Sequence, residues 1–305
     1  MAFPPAAKAR ALALVQNLKA VLRDDLAGLP WMGPDTRRQA LAKLDAMAVK
    51  IGYPDRWRDY SKLDVSSPSY VVNAMRADEF EFGRNLNKLG KPVDKGEWAM
   101  TPPTVNAYYS PSGNSINFPA GILQPPFFDA QADDAVNYGA IGAVIGHEMT
   151  HGFDDRGRQR DAQGNLRDWW TPEDAARFRS RAQGIVAQYS AYEALPGARV
   201  NGALTQSENI ADIGGLKIAY LALEKSLAGK PRPRIDGYTP EQRFFLSFAQ
   251  IWRTKMRPEA LRVRLATDPH APPRFRVLGA LADTPEFRQA FGCPADPKAS
   301  PTTLW

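Results

Sequence analysis

Apolar positions in the first part of the chain repeat at helical spacing. Leu12, Val15, Leu18, Leu22 and Leu26 fall three or four residues apart, which predicts an amphipathic helix over residues 6–28. Leu29-Pro30-Trp31-Met32-Gly33-Pro34 breaks it. Asp35 or Thr36 then caps a second helix through Leu41, Leu44 and Met47, closing near Gly52-Tyr53-Pro54. A third helical stretch covers 67–89 and stops at Gly90-Lys91-Pro92. The period changes at residues 104–109, a β-type run, followed by a Ser/Pro/Gly/Asn turn and the run 115–118, which together predict a hairpin. Beyond a turn-rich segment the pattern is helical again over 133–152. A polar loop, 154–168, leads to a helix opened by Thr171-Pro172-Glu173-Asp174, and further helices fit 208–227 and 239–255.

Composition bounds the function classes. A chain of 305 residues with 44% hydrophobic and 10% aromatic content can bury a sizeable core. No stretch approaches the roughly 20 apolar residues of a membrane helix, and Met1-Ala2-Phe3-Pro4-Pro5 lacks the charged-then-apolar pattern of a signal peptide. The formal charge of +6 comes from Lys and Arg scattered among acids. Short clusters such as Lys230-Pro231-Arg232-Pro233-Arg234 read as solvated loops, so no nucleic-acid partner is expected. Cys293 is the only cysteine, which excludes an intrachain disulfide and multi-thiolate zinc sites.

The chemistry is concentrated in few residues. Two of the three histidines stand four apart in His147-Glu148-Met149-Thr150-His151, after the apolar run Ala143-Val144-Ile145-Gly146. On a helix both imidazoles share a face and can reach one metal ion, with Glu148 beside them as a base for water. A catalytic zinc needs a third protein ligand. The extended pattern with a third histidine is excluded, because it requires glycine where Asp154 stands and histidine where Gly157 stands. A glutamate from a later helix is the other source. Glu208 is the candidate, with Asp212 one turn on to accept a proton from a ligand imidazole; a solvent-exposed Glu-Asp pair is the plain alternative.

Four segments carry a resemblance over nearly the whole chain: Asn106-Ala107-Tyr108-Tyr109; Phe118-Pro119-Ala120-Gly121-Ile122-Leu123-Gln124-Pro125-Pro126-Phe127-Phe128; Val144 to Asp155; and Glu208-Asn209-Ile210-Ala211-Asp212. In this order they resemble the signature segments of the neprilysin family of zinc endopeptidases, which includes endothelin-converting enzyme and bacterial oligopeptidases. The resemblance implies a mainly helical α+β, thermolysin-like zincin fold of the gluzincin type with a small sheet. It implies one zinc per chain, held by His147, His151 and Glu208, with Glu148 as general base. Thr267-Asp268-Pro269-His270 and Phe275-Arg276 resemble the segment whose histidine stabilises the transition state and whose arginine binds the substrate backbone. By the same carry-over Asn106 and Ala107 lie on an edge strand that pairs with substrate. Ile122, Phe127, Val144 and Trp252 surround the pocket for the residue after the cleaved bond, widened by the small Ala143. Asp212 and Asp154 orient His147 and His151.

The resemblance covers the C-terminal portion of two-lobed family members. Residues 1–65 are expected as a helical remnant of the N-terminal lobe and 66–305 as the catalytic domain, with the remaining lobe missing or a separate chain. Animal members end in Cys-x-x-Trp; here Thr302-Thr303-Leu304-Trp305 keeps only the tryptophan, which points to a bacterial origin, and the family resemblance implies an extracytoplasmic location. The expected activity is hydrolysis of oligopeptides before large hydrophobic residues. A peptide-binding module with little turnover and a zinc hydrolase of another class are the rivals.

Overall fold

The computed structural model describes residues 3–294 together with Leu304 and Trp305; Thr302 and Thr303, where the terminal pattern departs from Cys-x-x-Trp, lie outside them. Proline starts many of the helices. Pro5, Pro34, Pro172, Pro240, Pro258, Pro273 and Pro285 occupy the first turn of α1 (Pro5–Gly28), α2 (Pro34–Asp45), α6 (Pro172–Ser190), α8 (Pro240–Ile251), α9 (Pro258–Thr267), α10 (Pro273–Ala282) and α11 (Pro285–Phe291). There the missing N–H costs no hydrogen bond and the fixed φ suits the helix. Thr239 and Gln242 add a reciprocal capping box to α8.

The sheet is small and mixed. β2 (Tyr108–Ser110) and β3 (Ser115–Pro119) form the expected hairpin, and β1 (Ala48–Gly52) pairs parallel to β3 from the other side, so the order is β1-β3-β2. The first arm of the hairpin is shorter than its β-type run. Asn106 and Ala107 precede β2, because continued pairing would set Asn106 opposite Pro119, which has no N–H to give. The Asn106 carboxamide instead accepts the Ala107 N–H at 2.9 Å. β2 remains the edge of the sheet.

Residues 3–52 share one hydrophobic core with the rest. Leu18, Leu22 and Leu26 of α1 are fully buried in the cluster that holds Ile210, Leu216 and Ile218 of α7 (Gln206–Leu227), and α1 packs on α7. α3 (Tyr70–Leu86) differs: it buries no residue, and Tyr70, Met75 and Phe82 stand exposed. The helix expected over 133–152 is interrupted. After α4 (Asp134–Asn137) comes one π-helical turn, Tyr138–Gly142, before α5 (Ala143–Thr150). α8 lies directly against this turn: a Cβ on Gly139 would stand 2.1 Å from the Phe244 carbonyl oxygen, a close approach that only glycine allows. α8 itself ends at Ile251, short of the expected residue 255, with Trp252 as its cap. Among the described residues, no helix is long and apolar enough to cross a membrane.

Candidate metal centre and cleft

α5 and α7 cross with backbone almost in contact. A Cβ on Gly146 would lie 2.6 Å from the Gly215 carbonyl oxygen, and one on Gly215 would lie 2.4 Å from the His147 nitrogen. This contact brings the N-terminal turn of α7, with Glu208 and Asp212, beside the histidines of α5. His147 Nε2 stands 3.3 Å from Glu208 Oε2 and His151 Nε2 3.6 Å from Glu208 Oε1.

The other ring nitrogens face acids. His147 Nδ1 lies 2.8 Å from Asp212 Oδ1, and His151 Nδ1 2.6 Å from Asp154 Oδ2. Each acid accepts the Nδ1 proton, which leaves both Nε2 lone pairs pointing inward. Two lone pairs and a carboxylate thus converge within 4.8 Å of one another. Glu208 Oε2 is buried and makes no well-formed hydrogen bond. An arrangement of acceptors facing acceptors fits a cation between them, and two imidazoles with a carboxylate are a zinc-type donor set. Where protons rather than a cation fill this gap, burial works against the Glu208 charge, yet the hydrogen bonds and charges of the two protonated imidazoles outweigh it and hold its carboxyl well below the usual carboxylate range.

Behind His147 lies a buried ion pair. Arg276, on α10, gives Nε to Asp212 Oδ2 at 2.7 Å and Nη2 to Oδ1 at 2.6 Å, a bidentate fork. Its guanidinium lies over the Trp252 ring, 4.0 Å from the centroid. Burial of Asp212 raises its pKa, but the Arg276 charge and the His147 hydrogen bond prevail and keep it low. Arg276 therefore has two donor nitrogens committed to Asp212.

His270, in the loop before α10, also reaches Glu208, with Nε2 3.3 Å from Oε2. Its Nδ1 rests on Asp268 Oδ1 at 2.7 Å, and its backbone N–H bonds the same oxygen. In sequence Asp268 stood only as part of the segment around His270, with no role of its own; its place two residues before a site histidine was the available signal.

These groups line a cleft of about 440 Å³. Glu148, 6% exposed, is in its wall with the three histidines. Asn106, Ala107, Ile122, Phe127, Val144 and Trp252 all line it as well, while Asp154 sits behind His151. Phe248 and Ile251 of α8 complete the apolar wall and were not foreseen, since they read as ordinary core positions of an amphipathic helix.

The family model for peptidase family M13 matches residues 106–303, and its N-terminal counterpart matches 1–54. An endothelin-converting enzyme homolog of Locusta migratoria is 43% identical over 98% of this chain, and neprilysin-2 of Drosophila melanogaster is equally so. The chain spans 42% and 40% of their lengths. Among solved structures, the Mycobacterium tuberculosis zinc metalloprotease Zmp1 in complex with an inhibitor superposes with a TM-score of 0.93 at 50% identity, covering 98% of this chain and 47% of that one. PepO from Lactobacillus rhamnosis gives 0.86 at 37% identity, with 97% and 45% covered. With its fold, its cleft and both family models in agreement, the chain belongs to peptidase family M13.

Proposed function

We propose that this chain is the catalytic part of a zinc endopeptidase that cuts oligopeptides before large apolar residues. The observation that carries the reading is the convergence of His147, His151 and Glu208 in the wall of a cleft that also holds Glu148. Zinc held by those three residues would supply Lewis acidity, polarising the scissile carbonyl and making water a nucleophile near neutral pH.

The chain's own groups do the rest. Glu148 accepts the proton of the attacking water and returns it to the leaving amine. His270, steadied by Asp268, donates from Nε2 to the oxyanion as charge develops there. Arg276 serves chiefly through Asp212, keeping that carboxylate ionised and aimed at His147, and is left with one terminal nitrogen for substrate carbonyls. The edge of β2, with Asn106 and Ala107 just before it, is suited to pair with an extended peptide.

The apolar wall sets specificity. Ile122, Phe127, Val144 and Trp252 offer a side chain little but burial, so a polar residue entering there is desolvated at roughly 1 to 3 kcal/mol. One methylene changes the fit by only about 1 to 3 kcal/mol, so several apolar residues are accepted. Residues 1–65 are read as the segment contributed by the N-terminal lobe, with residues 3–52 built into the core and sheet of the catalytic body. Metal analysis of the purified protein with a digest of a mixed peptide library tests the proposal. One zinc per chain and new N-termini rich in Leu, Phe and Ile are expected; absence of zinc, or cuts before charged residues, overturns it.

A further inference from the structure

Lys43 is a lysine with no solvent exposure, placed near the end of α2 and far in sequence from the metal centre. Lysine is almost never fully buried without a specific partner set. Here the partners are two backbone carbonyls. Nζ donates to Gly157 at 2.6 Å and to Arg160 at 2.7 Å, and the rings of Tyr109, Phe153 and Trp169 surround it at 5.7 to 5.9 Å.

The loop that Lys43 grips is the one that aims His151. Asp154 takes the His151 imidazole on Oδ2, while its Oδ1 accepts the N–H groups of Arg156 at 2.9 Å and Gly157 at 2.6 Å. The turn is tight: a Cβ on Gly157 would stand 1.7 Å from the His151 carbonyl oxygen. The peptide groups of Gly157 thus link Lys43 on one side to Asp154 on the other. Lys43 also holds the neighbouring wall, for its own carbonyl accepts from Asn114, whose Oδ1 accepts the Tyr109 hydroxyl proton. Burial pushes the ammonium down to about 7, but an amine and an ammonium both have the two N–H bonds this grip requires.

We propose that Lys43 is a positioning residue for the metal centre, acting on His151 through the Gly157 peptide and Asp154. The inference rests on the zinc reading above. It makes α2, outside the His-Glu-Met-Thr-His segment and outside the cleft, a determinant of metal affinity. Loss of its two hydrogen bonds frees the loop, and the Asp154 carboxylate then samples orientations that no longer fix the His151 ring. Groups that orient ligand histidines typically contribute 10 to 100-fold in metal affinity, and one further step removed the effect is set at about 10-fold.

The test is zinc competition against a chelator on the full chain, for wild type, Lys43→Met, Asp154→Asn and the double variant, with the melting temperature of each metal-free protein. Lys43→Met is expected to raise the zinc Kd about 10-fold and to change the shape of the visible spectrum of the cobalt(II)-loaded protein. Because both residues act along one path, the double variant is expected to bind little worse than Asp154→Asn alone. Unchanged zinc Kd in Lys43→Met, or losses that add in full, overturns the proposal. Should Lys43→Met not fold, Lys43→Gln, which keeps an amide donor, carries the same comparison; failure of both to fold assigns Lys43 to the core and also overturns it. If wild type binds no zinc, the functional reading fails instead, and the two failures are distinct.

Discussion

Gly215 lies against the backbone of His147 so closely that a methyl group on it would stand 2.4 Å from the His147 nitrogen and 2.8 Å from the Ala143 carbonyl oxygen. Both contacts are backbone, so no side chain can swing aside. Gly215→Ala must therefore move α7 away from α5, and Glu208 and Asp212 move with it. Overpacking of this kind costs about 1 to 3 kcal/mol. Denaturant unfolding of the metal-free protein is expected to show that loss, and chelator competition a weaker zinc site. An unchanged zinc Kd would mean that the helix contact does not set the ligand geometry.

Glu148 and Glu208 separate proton transfer from metal binding. Glu148→Gln keeps the shape of the cleft wall and removes the base, so kcat is expected to fall by about 10² to 10⁴-fold with zinc content unchanged. Glu208→Gln replaces a carboxylate ligand by an amide and is expected to lose zinc. Metal content and turnover measured together on both variants decide it; the reverse pattern would exchange the two roles.

Asp212→Asn breaks a buried charge pair. Arg276 is 6% exposed and has two nitrogens on Asp212, so its guanidinium would be left in the interior with a neutral amide. Removing one member of such a pair costs about 3 to 5 kcal/mol. The variant is expected to unfold at markedly lower denaturant and to bind zinc about 10 to 100-fold more weakly, as the His147 Nδ1 proton faces a neutral amide instead of a carboxylate. Substituting both Asp212 and Arg276 by neutral residues is expected to recover part of the stability but not the zinc affinity.

Lys43 predicts a pH dependence of stability. Burial lowers its pKa to about 7 from the usual 10.5. Between those values the unfolded chain holds a proton that the folded chain has released, so the difference in bound protons, unfolded minus folded, is positive. Stability from this group therefore rises with pH from about 7 to 10.5, with a slope approaching 1.4 kcal/mol per pH unit, and is level below about 7, where both states are protonated, and above 10.5, where both are neutral. Urea unfolding across that range is expected to be steeper in pH for wild type than for Lys43→Met; parallel curves would show that the buried lysine stays charged.

Much of the site was legible because it is local. His147, Glu148 and His151 share a helical face by spacing alone, and Glu208 and Asp212 share another, so each helix announces its own half of the metal centre. The long helices and the hairpin were equally readable from their periods and, for α6, from the proline that starts it, whereas α2 starts at Pro34 with Gly33 as its cap and not at the expected Asp35 or Thr36. Tertiary contact decided the rest. β1 has no hairpin turn to announce it, since its partner β3 lies across 62 residues of chain and runs parallel to it. The close approach of α8 to Gly139 in the π-turn before α5 involves a neighbour that local pattern does not contain. Asn106 and Ala107 stop short of the strand because Pro119 stands across from them. The resemblance gave Arg276 a substrate role and no sign of the fork by which α10 docks it on Asp212, and nothing near Lys43 in sequence indicates that the 154–160 loop closes over it. A residue's chemistry and its helical face are properties of the chain near it, whereas the partner that turns a charge into a buried, oriented group is supplied by whichever distant segment the core brings against it.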